Sequence, residues 1–365
     1  MAVFALLLPM LLAAQAISDA DRKRFEEIRA RHDRGEKISA EDQRFAQGII
    51  ARMRQASPAQ QNTEYARTHP PRESTGLVPL PDLGTGMYQG EQGGLYRGGQ
   101  NTPPPAHLQA GLALAKGIAP LDTEGRPSLD GRIVFLTIGM SNTTMESQAF
   151  LKLAAADAAI DPKLTPVDGA QGGQTAHITA DPQANFWKVV EERLAAAHVT
   201  ARQVEAVWVK QANAGPSAGF PAAAKSLQAD LTATLHNLHD KFPNLKIVYL
   251  SSRIYGGYAG TPLNPEPYAY EGGFAVKWTI AAQIAGSADL NYDPSKGAVR
   301  CPWVAWGPYL WADGTKGRRQ DSLVYTREDV GPDGTHPSDA GRMKVGRQLL
   351  DFLKSDPTSK PWFLK

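Results

Sequence analysis

Ser141 stands at the end of the run Arg132-Ile-Val-Phe-Leu-Thr-Ile-Gly-Met-Ser, an apolar stretch that closes in a glycine turn and hands a serine to the start of a helix. Far downstream, Asp333-Gly-Thr-His336 places an acid and an imidazole three residues apart. A serine hydroxyl attacks at neutral pH only when a positioned base takes its proton, so these residues together point to acyl transfer through a serine nucleophile. The same chemistry needs donors aimed at the oxyanion. The backbone N–H of Ser141 is one candidate, because the unpaired amides and dipole of a helix N-terminus favour negative charge. Gly173 offers a second N–H, since the absence of a side chain lets its backbone approach a reacting carbonyl. Asn213 offers a neutral amide that donates without attracting a counterion. His336 is then the base, and Asp333 the group that holds its ring and stabilises the imidazolium.

Residues so far apart in sequence need a scaffold that gathers them. From Arg132 onward the hydrophobic pattern alternates between short apolar runs and helical periodicity. Strands are expected at 133–138, 164–167, 204–209, 245–250 and 299–306, and helices at 146–159, 182–198, 221–241, 272–285 and 338–353. The first, third and fourth strands are near-continuous apolar runs, as parallel strands buried on both faces require. This order predicts an α/β fold with a doubly wound parallel sheet. In such sheets ligands bind beyond the carboxyl ends of the strands. Ser141 follows the first strand, Gly172 and Gly173 the second, Asn213 the third and Arg253 the fourth, so all are expected on one rim.

The four blocks Gly139-Met-Ser141-Asn, Gly172-Gly173-Gln-Thr, Gln211-Ala-Asn213 and Asp333-Gly-Thr-His336-Pro-Ser resemble, in content and order, the signature of the SGNH (GDSL-like) hydrolases. The resemblance covers about residues 130 to 355. It implies a flavodoxin-like three-layer sandwich and an esterase without a cofactor. It implies Ser141 as nucleophile, Gly173 and Asn213 completing the oxyanion hole with the Ser141 N–H, and Asp333 and His336 as the other triad members; Gly172 is the alternative glycine donor. Met140 and Ala214 stand where the family commonly has Asp, and neither position belongs to the triad.

Other residues are candidate substrate contacts. Asn142 adjoins the nucleophile; it also opens an Asn-Thr-Thr glycosylation pattern, read as accidental because a glycan there would block the serine. His177 lies close to the second block and can approach substrate, and Arg253 can reach a substrate hydroxyl or carboxylate or else form a structural ion pair. Trp303, Trp306, Tyr309 and Trp311 form a cluster that can stack on sugar rings or fill a core. The expected reaction is hydrolysis of an acyl ester, with an O-acetyl group on a carbohydrate as the substrate, and activity falling below about pH 6 as the imidazole protonates. A carbohydrate-binding module on a decayed hydrolase scaffold is the alternative. No metal is expected: His236 and His239 lack a matching ligand set.

The chain has 365 residues, 42% of them hydrophobic, enough for a large core. Its 39 basic and 37 acidic residues nearly cancel, which argues against nucleic acid or an anionic membrane as partner and for a small-molecule or carbohydrate ester. Oligomeric state is not legible. Residues 1–16 end in Ala14-Gln15-Ala16 and read as a signal peptide, hence a secreted or periplasmic protein with no stable membrane span after cleavage. The expected organisation continues with a helical hairpin at 17–56, a linker and Gly/Pro-rich loop segment at 57–130, the hydrolase-like domain at 131–355 and a tail at 356–365. Within the loop segment seven glycines fall between Gly84 and Gly99, with Tyr88 and Tyr96 as a substrate wall. Cys301 is the only cysteine, expected to be buried and inert.

Overall fold

The computed structural model describes residues 18–33, 36, 38–55 and 58–365; the expected signal peptide at 1–16 lies outside the described residues. The chain divides into two units, Met1–Thr68 and His69–Lys365. In the first, helices Asp19–Asp33 and Ala40–Gln55 form the expected hairpin. Arg24 pairs with Glu41 and Asp42 across it, and Ile28 and Ile49 are buried. A third helix, Pro58–Thr68, occupies part of the stretch read as linker, with proline at the first helical position, where its missing N–H costs nothing. The side chain of Met53 lies outside the described residues.

The second unit is built on five parallel strands, β1 (Ile133–Gly139), β2 (Leu164–Asp168), β3 (Val204–Lys210), β4 (Ile247–Ser251) and β5 (Trp303–Trp306). Their order is β2-β1-β3-β4-β5, the doubly wound arrangement the alternation predicts. Every residue of β1, β3, β4 and β5 is buried, because helices cover both faces and leave no polar side. The covering helices are α1 (Ser141–Ala155), α2 (Asn185–Ala196), α3 (Ala222–Lys241), α4 (Tyr268–Ile284) and α5 (Asp339–Ser355). The result is a flavodoxin-like three-layer sandwich.

Strand order reverses between β1 and β3, and the two pair in register from Phe135 opposite Ala206 to Gly139 opposite Lys210. Chain leaving β1 turns to one face and chain leaving β3 to the other, which opens a crevice at their carboxyl ends. Ser141 leaves β1 there and Asn213 leaves β3. Gly139 is required at this point: a Cβ would collide with Thr143 Oγ1 and Lys210 O.

The glycine-rich segment is more ordered than its sequence suggests. It contains a short hairpin pairing Met87–Tyr88 with Glu91–Gln92, and a helix, Pro105–Ala115, follows it. Lys277 Nζ donates to Gln92 O and Gly93 O, both at 2.6 Å, and Trp306 Nε1 donates to Leu95 O at 2.8 Å. Side chains of the sandwich therefore hold the loop by its carbonyls. Cys301 is buried, and burial pushes its thiol up to about 12 against a weaker opposing hydrogen bond from Gln283, so it stays protonated.

Candidate active site

The nucleophile candidate sits at the first residue of α1, one residue past the extended Met140. Ser141-Asn-Thr-Thr is a poor helix opener by propensity, since Ser, Asn and Thr compete for backbone hydrogen bonds. Here tertiary partners take those side chains. Asn142 Nδ2 donates to Thr335 O at 2.7 Å, Thr143 Oγ1 to Lys210 O at 2.8 Å, and Thr144 Oγ1 to Asp168 Oδ2 and Ala170 O. The first turn of α1 is thus tied to β3, to the end of β2 and to the His336 loop at once.

The His336 loop is equally constrained. Asp333 Oδ1 accepts the backbone N–H groups of Thr335 and His336, each at 3.0 Å, folding 333–336 into a tight turn. Gly334 takes φ +67°, and a Cβ there would strike Tyr258 O. Gly260 N donates to Asp333 O at 2.8 Å, so the chain after β4 clasps the turn.

These constraints bring the imidazole to the serine. Ser141 Oγ lies 2.7 Å from His336 Nε2, and His336 Nδ1 lies 2.6 Å from Asp333 Oδ2. An ionised carboxylate can only accept, so Nδ1 carries the ring proton and Nε2 is left to accept from the serine hydroxyl. Burial alone would raise the Asp333 carboxyl, but hydrogen bonds from His336 and from the Thr335 and His336 amides pull it down to about 2. Asp333 is therefore a fixed negative charge beside the ring at any working pH.

On the other side of Ser141 stand the glycines and Asn213. A Cβ on Gly172 would come 3.9 Å from Ser141 Cβ, so this backbone lines the nucleophile directly. Gly173 takes φ +75°, a conformation that favours glycine, and faces open space. Asn213 Oδ1 accepts the His177 N–H at 3.2 Å, and its Nδ2 donates to Asp230 Oδ2 at 2.7 Å. That fixes the amide orientation and uses one of its two N–H bonds, leaving the other.

Asp230, on α3, is the residue that sequence reading missed. It stands seventeen positions beyond Asn213 on an amphipathic helix, where a carboxylate reads as a solvated face. A second omission joins α1 to β3: Lys210 Nζ sits 2.9 Å and 2.7 Å from the two oxygens of Glu146, both side chains fully buried. Burial lowers the lysine to about 8, opposed by the glutamate.

The candidate substrate contacts separate. His177 projects an imidazole whose side chain is 85% exposed, 3.6 Å from Asp230. Asn142 is buried and committed to Thr335 O, so it braces the loop and does not face solvent. Arg253 is only 4% exposed; burial lowers its guanidinium, the carboxylates of Glu146, Glu266 and Asp333 act on it through space, and its Nε has no partner among the described residues. Trp306 corrects the expectation. It is buried and bonded to Leu95 O, and Trp303, Tyr309 and Trp311 are buried with it, so no ring presents a face to a sugar. Hydrophobic burial in the β5 layer uses the aromatic surface that stacking would need. Tyr96 is likewise core, whereas Tyr88 donates to Glu271 Oε1 at 2.7 Å. His236, set aside as a metal ligand, bonds to Asp289 O.

No family model matches the chain, and no curated protein matches it. Among solved structures, a candidate platelet activating factor from Streptococcus pneumonia aligns over 68% of this chain and 92% of its own, at 15% identity and TM-score 0.32. The periplasmic domain of a lipopolysaccharide acetyltransferase from Salmonella ser. Paratyphi A aligns over 67% and 95%, at 12% identity and TM-score 0.32. The salicylyl-acyltransferase SsfX3 from a tetracycline biosynthetic pathway aligns over 64% of this chain at 14% identity and TM-score 0.33, and 58% of its own length is spanned. Likeness at this level carries no inference about the chemistry of this chain.

Proposed function

We propose that the chain is a serine esterase of the SGNH type, hydrolysing an acyl ester through Ser141, His336 and Asp333. The observation that carries this reading is the unbroken line Asp333 Oδ2, His336 Nδ1, His336 Nε2, Ser141 Oγ, with steps of 2.6 and 2.7 Å. His336 takes the serine proton as Oγ attacks the ester carbonyl, and Asp333 stabilises the imidazolium that forms. The oxyanion rests on the Ser141 N–H at the start of α1, the N–H of Gly173 and the remaining N–H of Asn213. His336 then returns its proton to the departing alcohol, and water activated by the same ring releases the acyl group. No cofactor enters these steps.

An O-acetyl group on a carbohydrate is the substrate proposed. The buried aromatic cluster lends it no support, so the sugar must be recognised by hydrogen bonds. The same line of contacts favours an esterase over a decayed scaffold that only binds glycans. The export expected from residues 1–16 is consistent with a polymeric or extracellular ester and is part of the proposal.

Turnover of 4-nitrophenyl acetate tests the reading. Ser141→Ala should lower kcat/KM by about 10⁴-fold or more with thermal stability little changed. A Ser141→Ala protein that keeps the parent's rate would refute it.

A further inference from the structure

A cavity of about 240 Å³ opens beside His107, walled also by Pro104, Ile284, Ser287, Leu290 and Tyr292. One water needs about 10–15 Å³, so there is room for a ligand of several heavy atoms. His107 is 5% exposed, and its ring stacks on Trp303, the first residue of β5, with 4.8 Å between centroids. The strands of the sheet are parallel, so this amino end of β5 lies across the sheet from the rim that carries Ser141. His107 Nε2 is 2.8 Å from Val304 O. A carbonyl only accepts, so Nε2 carries the ring proton. Burial lowers the pKa of the imidazole, opposed by that bond, and the ring is neutral at pH 7. Nδ1 is then a bare acceptor with no partner among the described residues, and it is not one of the unpaired atoms sealed from solvent. The cavity that His107 lines is where a donor reaches it.

We propose that this cavity is a binding site for a neutral sugar ring, separate from the active site and independent of the esterase reading. The ligand must donate to His107 Nδ1, which a carboxylate cannot do. Lys296 is the one charged side chain on the wall among the described residues, so a cation finds no counter-charge there. The donor is therefore neutral. Ser287 and Tyr292 add hydroxyls that both donate and accept, while Pro104, Ile284 and Leu290 add apolar surface. A sugar ring matches both, with hydroxyls along its edge and C–H groups on its faces. The walls are also set in advance. Gln283 donates to Leu290 O and Pro302 O and accepts from Val304 N, and Asn291 Nδ2 donates to Asp293 O, Gly297 O and Ala298 O. A ligand entering between them does not have to order the site first.

Methyl glycosides of glucose, galactose, mannose and xylose are the probes, with cyclohexylamine and cyclohexanecarboxylate as charged rings of similar size. They are titrated into the full chain, labelled at histidine for nitrogen NMR. At least one glycoside should bind saturably, with Kd of about 1 mM, and move the Nδ1 resonance of His107 upfield as its lone pair accepts a hydrogen bond. Neither charged ring should produce that shift. Ala106→Trp, at an exposed position on the cavity's rim, should abolish it. His107→Gln keeps a donor for Val304 O and removes the ring acceptor, so the affinity read by saturation-transfer NMR should fall about fivefold or more. Should His107→Gln fail to fold, Ala106→Trp still decides, because the added ring lies on an exposed surface. Absence of binding by all four glycosides, binding that survives Ala106→Trp, or a His107 shift produced by either charged ring overturns the proposal. The esterase reading stands or falls separately, on turnover and on labelling of Ser141.

Discussion

The two flanks of Ser141 differ in how completely their polar atoms are paired. On the His336 side the candidate triad is paired throughout: Asp333 Oδ1 holds two backbone amides, Oδ2 holds the imidazole, and Asn142 pins Thr335 O. On the Asn213 side, Asn264 Oδ1 and Glu271 Oε2 are enclosed and unpaired. A closed network fixes geometry before substrate arrives, which is what proton transfer requires. The contrast is between a flank fixed in advance for proton transfer and a flank whose pairing is incomplete.

Substitutions on the two flanks should therefore fail in different ways. The largest effect after loss of the nucleophile belongs to Asp333→Asn, which favours the wrong imidazole tautomer: kcat should fall about 10³-fold or more with KM little changed, and a loss confined to KM would erase the distinction. Asn213→Ala removes one oxyanion donor and should lower kcat by about 10²-fold in steady-state assays. Asp230→Asn weakens the hold on Asn213 without touching substrate, so a decrease of about tenfold is expected, rescued by no change of ester. An Asp230→Asn rate equal to the parent's would show that Asn213 needs no brace.

The smallest effect is on stability and concerns the segment between the flanks. Glu266 is buried, and burial raises its carboxyl from 4.5 to about 7, partly offset by donors from Trp311, Gly256 and Tyr270. Between those values the folded chain holds a proton that the unfolded chain has lost, so this group's contribution falls as pH rises through the window, by on the order of 3 kcal/mol. Glu266→Gln should flatten that slope in urea midpoints taken at pH 4.5, 6 and 8. An unchanged slope would place the titration elsewhere.

Much of the scaffold was legible because β1, β3 and β4 are apolar on both faces, and a five-to-seven-residue run of that kind has few alternatives. The first turn of α1 was legible only in part: the serine at its start could be read, but helical periodicity sets in only at Glu146, and contacts from Thr335, Lys210, Asp168 and Ala170 hold the Ser-Asn-Thr-Thr turn in place. In the site, Asp333 and His336 could be read because they sit three apart in one turn. Asp230 could not, since it matters through a neighbour distant in sequence, and burial is what turns an ordinary surface carboxylate into part of a site. Trp306 shows the reverse: its residue type suggested stacking, and only burial revealed a core side chain holding Leu95 O.

Covalent labelling tests the first flank most directly. A fluorophosphonate probe, followed by peptide mass mapping, should modify Ser141 stoichiometrically in the parent, not at all in Ser141→Ala, and at least about 10³-fold more slowly in His336→Ala. Labelling of Ser141 at the parent's rate in His336→Ala, or modification of a different serine, would contradict the assignment of His336 as the base and Ser141 as the nucleophile.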